Sequence, residues 1–143
     1  MPDYQDYTVS IQYDRRLYRQ DIAGSIAHAR MLGRQKIISL KDAEQIVQGL
    51  RQVQEEIEAG DFPWDPSLED LHMNIETRLT QIIGPAGGRL HTGRSRNDQI
   101  AVDLRIYTKE IIRDCVQGLR RVQRALLELA EAHREVVMPG YTH

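Results

Sequence analysis

Apolar residues along this chain recur at steps of three and four, and no stretch shows the strict alternation of a half-buried strand. The pattern predicts helix nearly throughout. Ser10 suits the N-cap of a helix over about 11–32, with Ile11, Leu17, Tyr18, Ile22, Ile26, Ala27 and Ala29 near helical spacing. Gly24 weakens its middle and Gly33 is the expected stop. Ser39 followed by Asp42 resembles a capping box for a second helix over 40–59, ended by Gly60. The turn-rich stretch DFPWDPS follows. A third helix over 67–83 carries Leu68, Leu71, Ile75, Leu79, Ile82 and Ile83, and Gly84-Pro85 terminates it.

The stretch GPAGGRLHTGR then reads as a loop before the longest element. Ser95 and Asp98 form a second S-x-x-D cap, and a helix is expected from 96 to 137. Its stripe includes Ile100, Leu104, Tyr107, Ile111, Cys115, Leu119, Val122, Leu126 and Leu129, at steps averaging near 3.6, so little supercoil is expected. At about 1.5 Å per residue it would span roughly 60 Å. A second stripe of Ala101, Ile112, Val116, Ala125 and Leu127 widens the apolar face. Such a helix needs partner helices from more chain or from other subunits.

Composition narrows the class. The 143 residues suffice for one domain with a modest core, and 28% charged against 41% hydrophobic is ordinary for a globular protein. A net charge of −2 offers no basic field for nucleic acid. The lone Cys115 excludes an internal disulfide and reads as a buried, reduced thiol. The start MPDYQDYTVS is not a secretory signal, and no run approaches a membrane span. A cytoplasmic protein is expected.

Residues 88–99, GRLHTGRSRNDQ, concentrate costly polar groups immediately before the long helix. A helix start offers unpaired N–H groups and the positive end of the dipole. Arg89, Arg94 and Arg96 add planar donors suited to carboxylates, and Asn97 adds an amide in the first turn. On the residues alone an anion site and a solvated basic turn stand even, and phosphate suits the run as well as carboxylate. It is not a G-x-x-x-x-G-K-[ST] loop. His72 and Glu76, one turn apart on the third helix, can pair. His91 is expected to order the loop, while His28 and His133 read as ordinary helix-face residues. The sequence contains no recognisable metal-ligand cluster.

Read with EDLHMNIE at 69–76, PGYTH at 139–143 and VSIQYDRRLYRQDIAGS near the start, GRLHTGRSRNDQ resembles the argininosuccinate lyase family of the fumarase/aspartase superfamily, which also supplies the delta-crystallins. The likeness covers essentially the whole chain, and LHTGRSRND is its most specific part. It implies a lyase that reversibly eliminates arginine from argininosuccinate, leaving fumarate, in arginine biosynthesis and without a cofactor or metal. A base removes a proton beside a carboxylate, and arranged donors hold the charge of the resulting aci-carboxylate. One such donor is worth about 2.7–4 kcal/mol. The resemblance implies that Asn97 contacts the succinyl carboxylates with Arg96 beside it, that Ser10 and Thr142 contact substrate, and that His143 is catalytic. On the residues alone Ser10 reads better as an N-cap. Asp70, His72 and Arg94 become candidates for lining or supporting the site, with a surface ion pair an equal reading for the third-helix residues.

The fold expected is all-α, with a small N-terminal helical domain over 1–94 and the first long helix of a central bundle domain over 95–143. The family's W-G-G-R-F-like start is absent before Asp3, and nothing matches its G-S-S-x-M-P-x-K-x-N loop, whose serine is the expected base. The chain therefore reads as the N-terminal portion of the enzyme, inactive alone. The family implies a homotetramer with each site assembled from three subunits, the Ser10/Asn97 and Thr142/His143 regions coming from different chains. No nucleic-acid or membrane partner is expected. The alternatives are a sister lyase of the superfamily, a non-catalytic delta-crystallin-like structural protein and a free-standing anion-binding module.

Overall fold

The computed structural model describes residues 9–142. It is all helical among them, in the order α1 (Ile11–Asp14), a 3₁₀ turn (Arg15–Leu17), α2 (Tyr18–Arg34), α3 (Leu40–Ala59), a 3₁₀ turn (Pro66–Leu68), α4 (Leu71–Ile83), a 3₁₀ segment (Gly84–His91) and α5 (Arg96–Ala132). The chain divides into two compact units, the first running to Tyr107 and the second from Thr108 onward.

In the first unit α3 matches its expected bounds, because both ends carry the right chemistry. The Ser39 hydroxyl accepts the Asp42 N–H, and Gly60 takes the left-handed conformation at φ 82°. The other elements depart from expectation for local reasons. Ser10 does not cap α1: its hydroxyl donates to Asp14 Oδ2 at 2.6 Å, and the Glu69 carbonyl accepts the Ser10 and Ile11 N–H groups instead. Glu69 does this from a strained φ of 59°, which also separates the Pro66–Leu68 turn from α4. Asp70 then caps α4 by accepting the Met73 N–H at 2.7 Å, so that helix starts at Leu71 rather than 67.

Gly33 lies inside α2, not at its end, and Lys36 takes the positive φ. The reason for glycine is proximity: a Cβ there would stand 2.7 Å from that of Ala43 on α3. Gly87 is similar, since a Cβ would meet the Thr80 backbone of α4 at 2.8 Å. That contact presses the Gly84–His91 segment onto α4 as 3₁₀ helix where a loop was expected. The core comprises Ile22, Leu32, Ile46, Leu50, Val53, Leu71, Ile75, Leu79 and Leu90, all at most 1% exposed. From α5 the buried residues are polar, Gln99 and Asp103.

In the second unit α5 continues to Ala132, five residues short of expectation. Val136, Val137 and Pro139 lie ahead, and β-branching together with the restriction before proline disfavours further helix. Leu119, Val122, Leu126, Leu127 and Leu129 are all exposed, as is Cys115, against the expectation of a buried thiol.

Candidate active site

The opening of α5 is built as a braced turn. Gly93 adopts φ 64°, and Ser95 and Asp98 cap reciprocally: the Ser95 N–H donates to Asp98 Oδ2 at 3.2 Å and the Asn97 N–H to Ser95 Oγ at 3.3 Å. Asn97 is exposed, and among the described residues its carboxamide makes no hydrogen bond. An unengaged amide at a dipole-positive helix start is free to donate to an anion.

The arginines beside it are engaged by α4. Arg96 donates to Glu76 at 3.1 Å and to Gln99 Oε1 at 2.6 Å, with its Nε 3.6 Å from Asp70 Oδ2. Arg94 is 8% exposed, donates to Ser25 Oγ at 3.0 Å and lies 3.5 Å from Glu76. Burial lowers its guanidinium pKa, against the pull of Asp21 and Glu76. His91 does order the segment, its Nδ1–H donating to Glu76 Oε1 at 3.1 Å. His28 is more than a helix-face residue, since its Nε2 holds the Thr92 carbonyl at 2.9 Å. Arg89 is drawn away to Asp42 on α3.

His72 and Glu76 do not pair. His72 turns inward to lie 3.0 Å from Asp21 Oδ1 on α2 and 3.7 Å from Asp103 Oδ2 on α5. The Gln99 amide donates to the same Asp21 oxygen. Burial depresses the imidazole, but the hydrogen bond and charge of Asp21, with Asp70, outweigh it and raise its pKa. Burial and the neighbouring Asp21 carboxylate push Asp103 up to about 7. Asp21 Oδ2 and both Asp103 oxygens are buried without a hydrogen-bond partner. The three side chains offer metal-ligand atoms within 4.8 Å of one another. Arg94 and His72 contribute positive charge beside Asp103, against the burial that raises it. Positions 21, 72 and 103 form no motif along the chain. Sequence reasoning missed Asp21, Ser25 and Asp103; for the two aspartates the available signal was a carboxylate among the apolar positions of a helix, and Ser25 offered none.

Ser10, Asp70, His72, Arg94, Arg96 and Asn97 belong to the first unit. Ser10 joins the α4 start through the Glu69 carbonyl and through Asp14, whose Oδ2 also accepts the Leu71 N–H at 3.3 Å. Thr142 is in the second unit, exposed and outside regular structure, and the catalytic candidate His143 lies outside the described residues.

A family model described as "Lyase" matches residues 2–143. The chain belongs to this lyase family. Among curated proteins, this lyase segment is 58% identical to the argininosuccinate lyase of Trichlorobacter lovleyi, 53% to that of Alkalilimnicola ehrlichii and 55% to that of Heliobacterium mobile. Each match covers 139 residues, 97% of this chain and 30% of the relative. The lyase chain thus spans under a third of the length of the relatives it matches.

Proposed function

We propose that this lyase segment serves the reversible elimination of arginine from argininosuccinate, with fumarate as the other product, in an enzyme of the relatives' length. The observation that carries the reading is the free carboxamide of Asn97 at the start of α5, above a turn braced by Arg94 and Arg96. In this reading Asn97 holds a succinyl carboxylate, where negative charge grows as the carbon beside it loses a proton. A donor set in place before reaction stabilises that charge without reorganising. Arg96 stands beside the carboxylates, Ser10 and Thr142 contact substrate, and His143 assists proton transfer or stabilises charge. Asp70, His72 and Arg94 support the site from behind. The chemistry is proton abstraction beside a carboxylate followed by C–N cleavage, and it calls for no cofactor. The assembly is a homotetramer, acting in the cytoplasm, with residues 1–94 as the helical domain that precedes the bundle.

The test is a chimera in which this chain replaces the matching segment of the Trichlorobacter lovleyi argininosuccinate lyase. Fumarate release from argininosuccinate is followed by ultraviolet absorbance. Activity is expected in the chimera, and Asn97→Leu should lower kcat/KM by about 100-fold or more, the worth of one charge-stabilising donor. Helix content should be unchanged, because Ser95 still caps. Near-normal turnover of the Asn97→Leu chimera would defeat the assignment. The 143-residue chain alone should release no fumarate, since elimination needs a base within hydrogen-bond reach of the substrate proton and the family's serine loop is not among these residues.

A further inference from the structure

Three side chains of one short segment, His91, Arg94 and Arg96, converge on a single carboxylate, Glu76 of α4. His91 Nδ1 and Arg96 Nη1 each lie 3.1 Å from Oε1, and Arg94 Nη2 lies 3.5 Å from it. Arg96 Nη2 adds a contact to Oε2 at 3.4 Å. Glu76 sits on a well-fixed helix, between the buried Ile75 and the buried Leu79. The segment it gathers is also held at single points, by His28 on the Thr92 carbonyl, by Arg94 on Ser25 Oγ and by the Ser95–Asp98 cap, whereas Glu76 holds three of its side chains at once. Gly93 permits a left-handed backbone, and neither Gly88 nor Gly93 is hemmed in by neighbouring atoms. Without a counter-charge, the two guanidiniums would repel each other at the start of a helix whose dipole already disfavours positive charge.

We infer that Glu76 is a positioning residue for the anion site: by clamping His91, Arg94 and Arg96 it fixes the turn that presents Asn97. The inference rests on the reading of Asn97 as a carboxylate donor. It assigns a division of labour within the polar run. The arginines are spent largely on α4, with Arg96 shared among Glu76, Gln99 and Asp70, so the donor left facing outward is the neutral amide. A site that binds its anion through fixed neutral donors depends on their placement, and a displacement of about 1 Å can cost about 100-fold.

Two measurements separate this role from mere support of the fold. In the chimera, Glu76→Gln and Glu76→Ala should raise KM for argininosuccinate by about 10-fold or more, with the melting temperature close to that of the parent. Glu76→Asp keeps the charge and should recover part of that loss. Damage to folding would instead reduce the amount of active enzyme, lowering apparent kcat at constant KM. In the 143-residue chain itself, Glu76→Gln should broaden or shift the amide resonances of residues 89–97 and increase their hydrogen exchange, leaving those of α3 unchanged. Unchanged KM together with unchanged resonances for 89–97 would overturn the inference. If the unsubstituted chimera folds but releases no fumarate, the reading of the reaction fails, and the resonances of the chain alone then decide whether Glu76 fixes the turn.

Discussion

Asp103 illustrates how a single side chain can set the pH dependence of a fold. Its carboxyl is 1% exposed, faces Asp21, and is held up to about 7 by burial and that neighbour. An acid whose pKa is raised on folding stabilises the native state below its unfolded pKa, and that contribution is lost as pH rises through the folded value. His72, raised by its Asp21 partner, acts in the same direction: its favourable protonated form is lost as the solution turns alkaline. The first unit should therefore melt at a lower temperature at pH 8 than at pH 6. Asp103→Asn removes the larger part of that dependence. It should flatten the slope and stabilise the protein at pH 8 by roughly 1–3 kcal/mol, the cost of an unsatisfied buried polar group. Calorimetry at the two pH values checks this, and an Asp103→Asn protein with the full parental slope would refute it.

Among the elements, those whose ends carry their own chemistry were legible from sequence. The Ser39 and Gly60 signals placed α3, whereas Ser10, an equally good capping type, was diverted because Asp14 and the Glu69 carbonyl compete for it. Gly33 misled for a different reason, since local reading treats glycine as a stop and cannot see that α3 passes against it. The apolar stripe of α5 marked a packing face, yet within the first unit the face that α5 buries is Gln99 and Asp103. Polar burial of that kind depends on distant partners, Asp21 for Gln99 and His72 with Asp21 for Asp103, and no local period reports it. The anion-site run was legible as a donor cluster, but its organiser, Glu76, was read only as a partner for His72. The Gly84–His91 segment offers a test at this scale. Gly87→Ala drives a methyl group against the Thr80 backbone, which cannot yield as a flexible side chain would. Overpacking of this sort costs about 1–3 kcal/mol. Thermal melts should show that loss, with the disturbance in hydrogen exchange centred on residues 84–91, and a melting temperature equal to the parent's would contradict it.

For the molecule as a whole, the second unit raises the question of what its helix is for. Leu119, Val122, Leu126, Leu127 and Leu129 are each more than half exposed. Soluble monomers seldom expose contiguous apolar patches beyond a few hundred Å². Among the described residues no helix is long and apolar enough to cross a membrane. Partner helices would cover such a stripe in water favourably, since each buried leucine contributes roughly 1.5–3 kcal/mol. The 143-residue chain should self-associate through this stripe at micromolar concentration, as sedimentation velocity would show. Leu119 and Leu126 lie seven residues apart and share a face. Replacing both with glutamate should shift the distribution toward monomer. The pH-dependent melting assigned to Asp103 and His72 should persist in that variant, because those residues belong to the first unit. A parent chain that sediments as a compact monomer throughout this range, or a double variant that associates as the parent does, would mean that the stripe is not the surface that joins the copies.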